Sequence, residues 1–345
     1  MKPQLKEYML DQLKNLIEIP SPTGYTAKVQ SYLMSELESM GYSPYTLHKG
    51  GVICDIGGDG DGLMLASHVD TLGAAVKTVK ENGALRVANI GGLNPNNVET
   101  ETAKVITRFN GEFEGTFQIE NASSHVNKDV NEPRGFDTNL ELLLDEKVYS
   151  AKDTKSLGIE NGDIIAVNPK FVITEKGFIK SRFLDDKASA AVLLTLAKAV
   201  KDRLISLKRK VYINFTVYEE VGHGGAAGIP TDVQDMISVD MGCVGTGLNC
   251  KETQVSICAK DAGGPYNYDI VTQLVQAAKN ANIDYAIDVY QFYGSDVDVT
   301  LKAGYDIRHG LIGPGVYASH GYERSHIDGL ANTYSLLEEY VKCDL

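Results

Sequence analysis

No run in the 345-residue chain approaches the roughly 20 consecutive apolar residues that a bilayer span requires. The most apolar stretch, Ala188 to Val200, is interrupted by Ser189, Thr195 and Lys198 and reads as a buried helix. Basic residues are the minority: 33 Lys and Arg against 46 Asp and Glu give a formal charge of −13. No Lys/Arg-rich segment offers a footing on a phosphate backbone, so nucleic acid is excluded as an expected partner. Cysteine is sparse, with Cys54, Cys243, Cys250, Cys258 and Cys343 odd in number and without a CxxC pair. That argues against a disulfide framework and against a thiolate zinc site. The N-terminal segment has no uninterrupted apolar core of the kind a signal peptide carries. A reducing, cytoplasmic setting is expected. Tryptophan is also absent, which bears on nothing mechanistic.

What is present is an ordinary globular composition, 43% hydrophobic and 23% charged, long enough for about two domains. Leu5, Met9, Leu13, Leu16 and Ile17 recur at helical spacing, and Val29, Leu33, Leu37 and Met40 mark a second helix after the break Ser21-Pro22-Thr23-Gly24. Two β-rich runs, Gly51 to Ile56 and Leu63 to Val69, follow across GGDGDG, read as a hairpin-like or tight connection. From Ala75 to Asn168 short alternating segments separated by Gly, Asn and Pro read as a small all-β insert. The remainder, 1–74 and 169–345, alternates strands with helices and reads as one discontinuous α/β domain whose sheet is covered on both faces.

Polar residues collect where such a sheet places its chemistry. His68 and Asp70, Glu219 and Glu220, and Asp240 each fall at or just past the C-terminal end of an expected strand, the edge where open α/β sheets bind ligands. Asp185-Asp186 precedes a helix, and His326 lies in the segment SHGYERSHID before the last helix. Two imidazoles and several carboxylates without cysteine suit Zn²⁺, Co²⁺ or Mn²⁺. One bridging Asp and the five candidates His68, Asp185, Glu220, Asp240 and His326 suffice for two ions, leaving an acid for proton transfer. Glu219 and Glu220, as consecutive strand residues, would face opposite ways and so divide the two tasks. Singly, each feature has a plainer reading. An HxD at a strand end serves capping equally well, Asp185-Asp186 is more readily an N-cap, and His125, His223, His309, His320 and His326 could be loop histidines without a role. The ordered set is what carries weight.

The series SHVDT (67–71), FLDDKASAA (183–191), YEEVGHGGAAG (218–228), SVDMG (238–242) and ERSHID (323–328) resembles the tetrahedral aminopeptidases of metallopeptidase family forty-two, glutamyl- and leucyl-type enzymes of which some carry an endoglucanase or cellulase label. The resemblance implies a mixed-sheet α/β/α metallopeptidase domain with an inserted β-barrel at 75–168, two divalent ions per subunit, Zn²⁺ foremost, and a dodecameric homo-oligomer acting on short peptides. It further implies Asp185 as the bridge, His68 and Asp240 at one ion, Glu220 and His326 at the other, Glu219 as general base and Asp70 as the acid that orients His68. Water activated between the ions would attack the first peptide carbonyl. The sequence departs from the family pattern in HVDT for HMDE, in Lys187 for the usual Arg, and in the polar ERSHID. Pocket-lining residues are expected at Tyr293-Gly294-Ser295-Asp296 and Gly310 to Gly315.

Other classes stay open at this point. HVDT suggests a metal-dependent amidase or deacylase on an N-acylated or non-peptide substrate. A glycosidase would need two carboxylates about 5 to 9.5 Å apart across a sugar, which adjacent strand residues cannot supply. A scaffold protein would be expected to have lost ligands.

Overall fold

The computed structural model describes residues 1–342, so Cys343 lies outside the described residues. Cys54, Cys243, Cys250 and Cys258 are free thiols. Among the described residues no helix is long and apolar enough to cross a membrane. The chain divides into two compact units, one comprising Met1–Asp70 with Lys170–Leu345, the other Thr71–Pro169.

The first unit is built on a mixed sheet. Its centre is parallel: Lys210–Thr216 lies beside Gly62–His68, followed by Val233–Val239 and Arg308–Tyr317. Antiparallel strands flank this centre. Gly62–His68 is buried along its whole length, as a strand covered on both faces must be. Ala66 and Met64 pack with Val297 and Leu311 on one face, while the Ser67 hydroxyl donates to Asp186 at the head of the helical run Leu184–Lys201 on the other. That run is the apolar Ala188–Val200 segment, and it packs against the Pro3–Glu18 and Ile327–Lys342 helices. Buried Leu5, Met9, Leu13, Leu16 and Ile17 form the inner stripe of the first helix, as their spacing requires.

Two local expectations are corrected. GGDGDG joins no hairpin, because Lys210–Thr216 inserts between Val52–Gly57 and Gly62–His68 and pairs with both. Likewise the strand near Ile307 to Ile312 does not stop at Gly313-Pro314-Gly315 but runs on to Tyr317. At that point it exchanges its parallel partner Val233–Val239 for Gly242–Val244. Glycine is required there: a Cβ on Gly313 would lie 1.9 Å from the Asp240 carbonyl oxygen.

The second unit is a closed six-stranded barrel of Gly73–Val79, Leu85–Ile90, Leu140–Leu144, Glu112–Ile119, Thr102–Ile106 and Ile164–Val167 in that spatial order. Closure removes free strand edges. Val76, Leu85, Val87, Val105, Phe117, Leu142 and Ile165 fill the interior.

Candidate metal centre

The parallel strands deliver their C-terminal ends to one edge of the sheet. His68 closes its strand, Asp240 follows Val239, Glu219 and Glu220 follow Thr216, and His320 follows Tyr317. Asp185 enters from the head of its helical run, where Asp185 and Asp186 have non-helical backbone and are joined by a cis peptide bond.

These residues converge in two groups whose potential ligand atoms lie within 4.8 Å of one another: His68, Asp185 and Asp240, and Asp185, Glu220 and His320. Asp185 belongs to both. Its Oδ1 is 3.0 Å from His68 Nε2, and its Oδ2 is 3.6 Å from His320 Nε2. The same His320 nitrogen is 3.6 Å from Glu220 Oε2, and Glu219 Oε2 is 3.7 Å from His68 Nε2. The two glutamates occupy a single 3₁₀ turn, Glu219–Val221, rather than the strand. A turn, not strand alternation, therefore separates their carboxylates.

His326 is not in either group. It forms part of the short strand Glu323–His326, paired with Phe178–Ser181, and its ring packs edge-on against Phe178. Its Nε2 lies 2.8 Å from the Lys176 carbonyl, and its Nδ1 accepts the Asp328 N–H at 3.0 Å. Those partners assign the proton to Nε2 and occupy the lone pair of Nδ1, so no nitrogen remains to ligate. His320 stands in the position expected of His326. The same edge rule that selects the other residues would have found it had the strand been followed through Gly313-Pro314-Gly315.

The surroundings are acidic, with His68, Asp185 and Asp240 buried. Burial raises Glu219 well above the usual carboxylate range, with His68 opposing and Asp240 adding to the effect. Burial also raises Glu220, reinforced by Asp185. Burial and the charge of Asp185 push Asp240 up to about 7. For Asp185, burial is outweighed by the hydrogen bond and charge of His68, which hold it low. For His68, burial is outweighed by its bonds to Asp185 and Asp70, which hold it well above the ordinary imidazole range. So many carboxylates cannot all ionise together out of water without positive charge among them. Divalent cations would supply that charge, and the oxygen and imidazole donor set fits borderline metals.

Supporting contacts fix these groups. His68 Nδ1 is 3.0 Å from the Asp70 carbonyl oxygen and 3.6 Å from its carboxylate Oδ1, while Oδ1 also accepts the Glu219 N–H at 3.2 Å. Asp70 is fully buried. Lys187 does not offer a securely charged head: its Nζ donates to the Ile19 carbonyl at 2.7 Å, and burial lowers it to about 7.

A cavity of about 1250 Å³ opens onto the cluster. Asp185, Glu219, Glu220, Asp240 and His320 line it, as do Tyr293, Gly294 and Ser295. Asp296 is not on its wall. That carboxylate instead receives the Thr216 hydroxyl and the Gly225 N–H. Gly310 to Gly315 lie inside the central strand and do not line the cavity either.

Residues 50–336 match the model of the M42 glutamyl aminopeptidases. The chain belongs to the M42 peptidase family. The Bacillus subtilis protein YhfE, whose name carries a provisional aminopeptidase assignment, is 43% identical over 335 residues, spanning 96% of this chain and 97% of YhfE. Among solved structures, a TET aminopeptidase from a marine-sediment Thaumarchaeota archaeon superposes with a TM-score of 0.88 at 19% identity, covering 97% of this M42 chain and 96% of its own. The Pyrococcus horikoshii TET1 peptidase, described as assembling into a tetrahedron or a large octahedral shell, gives 0.85 at 20% identity over 96% and 99%. These likenesses establish the M42 fold, with its α/β unit and closed barrel. The family match and the YhfE relationship make this M42 chain a hydrolase of the aminopeptidase class.

Proposed function

We propose that this chain is a two-metal aminopeptidase that removes N-terminal residues from short peptides. The observation that carries the proposal is the division of the Asp185 carboxylate, one oxygen toward His68 and the other toward His320. In this reading His68, Asp240 and one oxygen of Asp185 would hold one divalent cation, and the other oxygen, Glu220 and His320 would hold the second. When bound, such a pair would supply Lewis-acid polarisation of the scissile carbonyl and acidify a water. Zn²⁺ is the first candidate, with Co²⁺ and Mn²⁺ of the same donor class.

Glu219 serves as the general base. Its carboxylate faces the His68 side of the cluster and lines the cavity, where it can accept a proton from water. It then delivers that proton to the leaving amine. Asp70 orients His68 and holds the backbone of Glu219. The substrate's free α-amine sits against the acidic wall of the cavity, which confines cleavage to the N-terminal residue. The chain assembles as a homo-oligomer, a tetrahedral dodecamer by likeness to the TET structures, and works in the cytoplasm on soluble peptides.

The test is hydrolysis of a panel of free-amine aminoacyl amides with Zn²⁺ or Co²⁺, run beside metal analysis. The expected result is activity lost on chelation, restored by metal, and reduced about 100- to 10,000-fold in Glu219→Gln. Equal activity in wild type and variant would remove Glu219 from the role. Turnover of N-acylated but not free-amine substrates would replace the reading with an amidase.

A further inference from the structure

We propose that Thr23, in the turn between the first two helices, is a positioning residue for the catalytic cluster. This inference rests on the two-metal reading above. Ser21-Pro22-Thr23-Gly24 breaks the helical pattern in the sequence, and the function as described leaves it unused. The turn is applied directly beneath the site. The Ser21 hydroxyl donates to the Val69 carbonyl at 2.7 Å, and the Thr23 hydroxyl donates to Asp70 Oδ2 at 2.7 Å. Ser21, Thr23 and Asp70 are all buried.

The consequence follows from the shape of a carboxylate. The two oxygens turn together about one bond, so fixing Oδ2 fixes Oδ1. Oδ1 accepts the Glu219 N–H at 3.2 Å and lies 3.6 Å from His68 Nδ1. Thr23 thereby sets, through Asp70, the backbone of the general base and the negative charge that faces the imidazole of one metal group. Without the hydroxyl, Oδ2 would lose this donor in a place water does not reach, and the carboxylate would be free to rotate toward another partner. The two bonds of the turn separate cleanly. Ser21 holds only the backbone of Val69, whereas Thr23 holds the group that reaches the reacting side of the site.

The experiment uses the full-length, metal-loaded protein and the best substrate of the aminoacyl-amide panel. Thr23→Val keeps the shape and removes the donor. Its kcat is expected to fall about 10- to 100-fold with KM within twofold, and Zn²⁺ retention against a competing chelator to weaken. Thr23→Ser restores both, since it restores the hydroxyl. Ser21→Ala lowers the melting temperature but leaves kcat within twofold. If Thr23→Val does not fold, Thr23→Cys, with a weak S–H donor of similar size, is expected to give an intermediate kcat. Unchanged kcat in Thr23→Val, or in a folded Thr23→Cys should it be needed, would overturn the inference while leaving the two-metal reading intact. So would equal losses in Thr23→Val and Ser21→Ala. Wild-type protein inert toward the whole panel, with or without added metal, would overturn that reading and this inference with it.

Discussion

Glu323 and His320 are joined side chain to backbone: Glu323 Oε1 accepts the His320 N–H at 3.2 Å. The other oxygen, Oε2, accepts the Asp185 N–H, also at 3.2 Å. One buried carboxylate thus ties the loop carrying His320 to the residue shared by both metal groups. Glu323→Gln puts an amide NH₂ where one of two N–H groups needs an acceptor. Affinity for the second ion is expected to fall about tenfold or more and that for the first by less, measured by metal titration of the apo-protein. Equal weakening of both ions, or of neither, would count against this role.

His320 and His326 should separate in function. If His320 holds a metal as proposed, His320→Ala is expected to lose one metal equivalent and at least about 100-fold in activity. His326→Ala is expected to keep both metals and near-normal kcat. It should cost about 1 to 2 kcal/mol of stability through its lost bonds to the Lys176 carbonyl and the Asp328 N–H. Kinetics, metal analysis and thermal melts of the two variants, side by side, decide between them.

Metal removal should destabilise the protein. Asp185, Asp240 and His68 are almost inaccessible to water, and bound cations stabilise only the folded form. At a free-metal concentration of about 100 times Kd the gain is about 2.7 kcal/mol. Chelated protein is expected to melt several degrees lower and to recover with added Zn²⁺. Identical melting curves would indicate that no metal is held at the cluster.

Asp298, on the cavity wall, gives a pH dependence apart from the ligands. Burial first, and then the neighbouring Asp261, raise it from 3.8 to about 6. The folded state therefore binds more protons than the unfolded state between these values. Its contribution to stability is present below about pH 4, is lost as pH rises through 6, and stays lost above. Asp298→Asn should flatten this slope, gaining on wild type by about 1 kcal/mol between pH 4 and pH 7 after screening by solvent and sharing with Asp261. Parallel stability profiles would refute the assignment.

Most of the centre is legible in the sequence because it obeys one geometric rule, that polar residues at the carboxyl ends of parallel strands meet. His68, Asp70, Glu219, Glu220 and Asp240 all follow it. His320 escapes the rule because its strand reads as ending near Ile312 but runs on through Gly313-Pro314-Gly315 to Tyr317, while His326 enters through its place before the last helix and the resemblance of ERSHID, not through the rule. Proline and glycine are ordinary breakers, yet here they allow a strand to change partners beneath the Asp240 backbone. The expectation of opposite-facing strand residues at Glu219 and Glu220 failed for a similar reason, since the strand had already given way to a 3₁₀ turn.

By itself the sequence determined the α/β and all-β textures, the inner stripe of the first helix and the acidic, cysteine-poor ligand chemistry. These follow from residue type and short-range periodicity. Only the tertiary structure decided which imidazole joins Asp185, that Lys210–Thr216 enters between two consecutive strands, and that Thr23 lies against Asp70. Those contacts link residues distant along the chain. They depend on strand order and on where buried hydrogen-bonding groups find partners, and neither is written in any local pattern.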